Sequence, residues 1–162
     1  MTADPDGADD AAIAARQRWM GVLARALPDE IESAWMGLAH RPRYEFLRRP
    51  EIGLLMVQGR MGGDGRAFNV GEVTVTRCTV RLDRGHPAPG PVGHAVVLGR
   101  ATRHAELAAA LDAMMQNEES GAALEQAVIA RLAMAQSRRR DQMARKAAAT
   151  RVEFFTMVRG AL

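Results

Sequence analysis

The hydrophobic positions change period along the chain, from helical spacing to strand spacing and back. Ile13, Trp19, Val22, Leu23 and Ala26 recur at helical spacing, which predicts a helix over about residues 11–27 with Asp9 or Asp10 as its cap. Pro28, followed by Asp29 and Glu30, suits the first turn of a second helix. That helix carries Ile31, Trp35 and Leu38 and stops before Arg41-Pro42. Strand-like stretches then follow at 44–48, 52–59, 68–82 and 93–100. Pro50-Glu51 separates the first two. The stretch 52–59 is apolar on both parities, which predicts that both of its faces are covered. In 68–82 the apolar parity switches near Arg77, predicting a bulge there or a strand buried on both faces. Short connections make these four strands an antiparallel meander. A helix over 102–116 packs Leu107, Leu111, Met114 and Met115; 117–121 breaks the chain; a long helix over 122–150 carries the stripe Leu124, Val128, Leu132, Ala135.

The fold expected is therefore α+β: a roughly four-stranded antiparallel sheet with N-terminal helices, a helix after the last strand, and a long C-terminal helix plus apolar tail. The organisation expected is a disordered acidic leader (1–10), an α+β core (11–118) and a C-terminal helix with a docking tail (119–162) of the same domain.

Composition narrows the functional classes. At 162 residues, 48% hydrophobic and 25% charged, the chain has the profile of one globular domain, with no apolar run long enough to span a membrane. The first ten residues hold four aspartates and no basic side chain, unlike a secretory or mitochondrial leader, so the expected location is the cytoplasm. The lone Cys78 fits a reducing compartment and falls in a strand pattern as a small buried side chain. His40, His86, His94 and His104 are scattered without ligand spacing, so no metal site is expected. Ser33, Ser120 and Ser137 fall in or beside helices, away from any nucleophile elbow, so no catalytic residue is assigned.

Two anion-facing arrangements stand out. Gly62, Gly63 and Gly65, flanked by Arg60 and Arg66, form either a phosphate cradle of backbone N–H groups or a structural turn; no Walker A sequence follows. Arg100 and His104 sit where a strand hands over to a helix, either as an anion site or as a solvated helix start. With Arg77, the set Arg60, Gly62, Gly63, Arg66, Arg77, Arg100 and His104 is the candidate substrate-facing group. Of the 22 basic residues all but Lys146 are arginine, a fork suited to phosphate, although a G- and C-rich genome gives the same bias. The basic stretch 131–151 reads as a partner-docking or solvated face rather than a nucleic-acid site, for it lacks aromatic interleaving. The terminal RVEFFTMVRGAL is too apolar for a free end, which makes Phe154, Phe155, Met157 and Arg159 the candidate partner-binding residues.

Three blocks, RMGGDGRAFNVGEVTVTRCTVRL, VLGRATRHAELAAALDAMMQ and RVEFFTMVRG, resemble the PhnG subunit family of the bacterial carbon–phosphorus lyase system. The N-terminal RQRWMGVLA agrees, so the resemblance covers roughly residues 16–162. It implies direct pairing with a PhnI-like subunit, and with PhnH- and PhnJ-like subunits in a two-fold core complex. It also implies cooperation with a PhnL-like ATPase subunit. In that family the PhnG, PhnH, PhnI and PhnL subunits move the ribose triphosphate of ATP onto methylphosphonate and release adenine. The nucleosidase chemistry is attributed to the PhnI-like chain, and a separate iron–sulfur radical subunit later breaks the C–P bond. The resemblance thus implies a non-catalytic, substrate-shaping subunit that binds no cofactor itself, ATP and methylphosphonate being substrates of the complex. The competing readings are a self-sufficient enzyme on phosphonate or phosphorylated substrates and a nucleic-acid-binding module.

Overall fold

The computed structural model describes residues 5–83 and 89–150. In chain order it contains α1 (Pro5–Arg25), α2 (Pro28–Met36), β1 (Tyr44–Arg60), β2 (Ala67–Leu82), β3 (Val92–Leu98), α3 (Thr102–Met115), α4 (Glu118–Leu124) and α5 (Ala130–Ala149). A π turn, Glu125–Ile129, joins α4 to α5 without breaking the rod. Helix α1 begins at Pro5, whose fixed φ suits a first helical turn. Residues 5–10, expected as part of an acidic leader, are helical, and residues 1–4 lie outside the described part. Ile13, one of the helically spaced apolar positions, is exposed.

The sheet has three strands, not four, in the order β1-β2-β3 and antiparallel throughout. The expected strands 44–48 and 52–59 are one strand, because Pro50 does not end β1. It lies on an edge strand, where a missing N–H costs little, and at a bulge. One extra residue of β1 falls at Leu47 and another across Arg49 and Pro50, opposite the unbroken run Arg77–Val80 of β2. The bulging expected near Arg77 is therefore real but lies on the neighbouring strand. At the same level Val75 and Thr76 are both buried, so β2 is covered on both faces there.

One face of the sheet carries the core. Cys78, Val80 and Leu82 of β2 and Ala95 and Val97 of β3 alternate inward against α3. The helix lies close because it presents Ala105, Ala108, Ala109 and Ala113, and because β3 offers Gly93 beneath it. A Cβ on Gly93 would run into the Ala109 carbonyl oxygen and the Ala113 nitrogen. Leu23, Ile31, Trp35, Leu124, Val128, Ile129 and Leu132 close the core from α1, α2 and the α4–α5 rod. Val128 and Ile129 of the π turn are both buried, and Ala135, fourth in the expected stripe, is only half-buried. The break expected at 117–121 shrinks to Asn117, since α4 starts at Glu118.

Candidate functional site: an apolar two-stranded arm

Strand β3 accompanies β2 only from Val75 to Arg81, whereas β1 and β2 stay paired out to Arg60 and Ala67. The surplus is a two-stranded arm, roughly residues 52–74, that runs past the third strand and the helices. The expectation that 52–59 has both faces covered is not met among the described residues. Ile52, Leu54 and Met56 point to one side and Leu55 and Val57 to the other, and all five are exposed, Leu54 at 57%. Phe68 and Val70 on β2 and Met61 at the tip, 77% exposed, extend the apolar surface. On the helix-free side it runs on through Val96 and Leu98 of β3, both exposed. Over both faces and the tip, the eight arm side chains leave on the order of 800 Å² of largely apolar surface open.

The arm is well formed in spite of its exposure. Its tip is a single 3₁₀ turn, Met61–Gly63, in which Gly62 and Gly63 have φ of 67° and 90°. Gly65 N–H donates to the Met61 carbonyl at 3.0 Å, and a Cβ on Gly65 would come within 2.6 Å of that oxygen. Arg60 donates from Nη1 to the Gly65 carbonyl at 3.1 Å. The glycines and Arg60 thus close the turn, while the Arg66 side chain is exposed at the tip.

The candidate anion-facing residues do not converge. Arg60 and Arg66 sit at the arm's tip, and Arg77 lies at its base, roughly 30 Å of strand away. Arg77 donates from Nη2 to the Leu54 carbonyl at 3.2 Å. Arg100 is exposed after β3, beyond the sheet's end. His104 is corrected outright: it is buried, and its Nε2 lies 2.8 Å from the Leu23 carbonyl near the C-terminus of α1. It caps a helix inside the core and does not face an incoming anion. Phe154, Phe155, Met157 and Arg159 lie outside the described residues.

The sequence reading passed over the polar groups that hold the core in register. Asp112, fully buried, takes Arg16 on both oxygens (3.2 and 2.7 Å), Trp19 Nε1 at 2.8 Å and the His94 backbone N–H at 2.9 Å. One carboxylate so ties α1, α3 and β3 together. A second chain runs from Tyr44, whose hydroxyl donates to Glu106 at 2.6 Å, through the Glu106–Arg103 ion pair at 3.2 Å to Glu32, which Arg103 grips with two bonds. Burial first, and Glu106 second, push the Tyr44 hydroxyl up to about 12. Burial likewise pushes the Cys78 thiol up to about 11, which makes it a core side chain and a poor nucleophile. Leading with its bond from Arg103, Glu32 is held below the usual carboxylate range. Glu30, despite some burial that acts the other way, is also held low by the Leu27 N–H and by Arg139 of α5. No cluster of metal-ligating side chains occurs among the described residues. Beyond Asp141 every described residue of α5 is exposed, so its basic end also projects from the core.

Comparison with known sequences decides what family this is. The family described as "Phosphonate metabolism protein PhnG" matches residues 14–160. The chain belongs to the PhnG family. A PhnG relative from Rhizobium meliloti (strain 1021), "Alpha-D-ribose 1-methylphosphonate 5-triphosphate synthase subunit PhnG", is 46% identical over 155 residues, which is 94% of each chain. The arm lies wholly inside the stretch that the PhnG family covers.

Proposed function

We propose that this chain is a non-catalytic subunit of the carbon–phosphorus lyase core complex and that it works only within that assembly. Its task there is to shape the site at which PhnH-, PhnI- and PhnL-like subunits transfer the ribose triphosphate of ATP to methylphosphonate and release adenine. The direct neighbour in this reading is the PhnI-like subunit, with PhnH- and PhnJ-like subunits completing a two-fold core in the cytoplasm. The chain holds no cofactor of its own; ATP and methylphosphonate are substrates of the complex. The observation that carries the reading is the arm, an ordered element with both faces apolar and neither covered by the described residues of its own chain. Such a surface resembles half of a permanent interface. The relative's printed name supplies the kind of assembly.

A self-sufficient enzyme would need its anion-binding groups in one place. The dispersal of Arg60, Arg77 and Arg100 and the burial of His104 speak against that reading. The test is reconstitution. Co-expressed with the PhnH-, PhnI- and PhnL-like subunits, the chain should co-purify with the PhnI-like one. Adenine release from ATP and methylphosphonate should need this chain and be absent when it is assayed alone. A stable monomer that ignores the PhnI-like subunit, or one that releases adenine unaided, would overturn the proposal. No helix among the described residues is long and apolar enough to cross a membrane.

A further inference from the structure

The backbone of the arm carries a second message besides its side chains. The Thr74 carbonyl accepts the Gly99 N–H at 2.8 Å, so the polar backbone groups of Thr74 point towards β3 and away from β1. Leu54 is the ladder partner of Thr74. In an antiparallel pair both members bond to each other or both face away, so the N–H and C=O of Leu54 face the open edge of β1. Alternation puts those of Ile52 and Met56 on the same edge. Arg77 corroborates this: its guanidinium lies 3.7 Å from where a Cβ on Gly53 would be, and it reaches the Leu54 carbonyl.

Folded proteins guard such edges with charge, proline or bulges. The proximal half of β1 has all three: Glu45, Arg48, Arg49 and Glu51, Pro50, and two bulges. From 52 to 59 the same edge reads IGLLMVQG, with no charge and no proline, and the register shift at Val57/Gln58 puts its extra residue, Val70, on β2 and not on this edge. Past Arg77, which reaches the Leu54 carbonyl at 3.2 Å, the guard stops.

We propose that the β1 edge over residues 52–58 receives an extended, apolar strand from a partner subunit, making the sheet four-stranded across a chain boundary. A second copy of this chain is the poorer occupant. Two arms joined edge to edge would leave both apolar faces of the combined ribbon open. The exposed area of on the order of 800 Å² matches one partner's share of a standard interface, so the occupant covers the faces as well as the edge. This inference rests on the subunit role proposed above and adds the mode of attachment.

The test uses the full chain co-expressed with the PhnI-like subunit. Met56→Pro removes the outward N–H without touching the β1–β2 ladder, whereas Met56→Ser shortens the side chain and keeps that N–H. Met56→Pro should weaken the complex about tenfold more than Met56→Ser. In the wild-type complex the amides of Leu54 and Met56 should exchange with solvent about 100-fold more slowly than in the isolated chain. Equal weakening by the two variants, or unchanged exchange in a complex that still forms, overturns the strand addition and leaves the subunit role standing. Failure of the wild-type pair to associate overturns both. A dimer of the isolated chain that protects the same amides also overturns it.

Discussion

Strands β1 and β2 live in two environments along one ladder. At the base, Cys78, Val80 and Leu82 alternate with half-exposed Arg77, Thr79 and Arg81, and the inward set meets α3. Along the arm the alternation vanishes, since Leu54, Leu55, Met56 and Val57 are apolar in succession and all exposed. The base is an antiparallel sheet with one wet face, and the arm has the sequence of a strand buried on both sides. On the subunit role proposed above, the difference separates what this chain does for itself from what it leaves to a neighbour. Substitutions at the base should act on folding and those on the arm on assembly.

The largest effect is expected at the base. Asp112→Ala strands the half-buried Arg16 and leaves the Trp19 and His94 N–H groups without their acceptor. It should cost about 3–5 kcal/mol in urea unfolding. Gly93→Ala should follow, at about 1–3 kcal/mol or more, because the added methyl meets the backbone of α3 and cannot turn away. Its thermal midpoint is the readout. On the arm, Leu54→Asp with Leu55→Asp should leave unfolding within about 0.5 kcal/mol of wild type. The same pair should weaken association with the PhnI-like subunit by about 100-fold or more, measured by titration calorimetry. A large loss of stability from this pair would erase the distinction between the two regions.

Alkaline pH gives a smaller, signed test. The folded state holds the Tyr44 proton up to about 12, whereas an unfolded tyrosine releases it near 10. Between those values the folded chain binds more protons, so stability, fully present below pH 10, falls as pH rises to about 12. Tyr44→Phe should flatten that slope. The smallest effect is at Cys78, whose burial and raised pKa of about 11 predict slow labelling by thiol reagents at pH 8 until the chain unfolds.

The helices were legible because periodicity and Pro28 mark them, and Leu107, Leu111, Met114 and Met115 are buried as their spacing requires. The strand count was not. Pro50 reads as a terminator unless its strand is known to be an edge, and edge position is a property of the whole sheet. The arm's two apolar parities were visible, but covered and waiting to be covered look alike in a sequence. His104 and Asp112 show a further limit. A histidine at a strand-to-helix junction reads as functional, yet its bond to Leu23 depends on α1 arriving from about eighty residues away. Asp112, inside an alanine-rich helix, carries no local mark of its three neighbours; Arg16, two turns before the end of α1, was its only distant hint.

The π turn at Glu125–Ile129 inserts one residue's worth of slack into an otherwise regular rod. Removing a single residue there would restore plain α geometry and turn everything downstream by about 100° about the rod's axis. The arginines of α5 would then point along a new bearing while the sheet beneath kept its packing. That small irregularity is the setting that aims the basic end of the molecule.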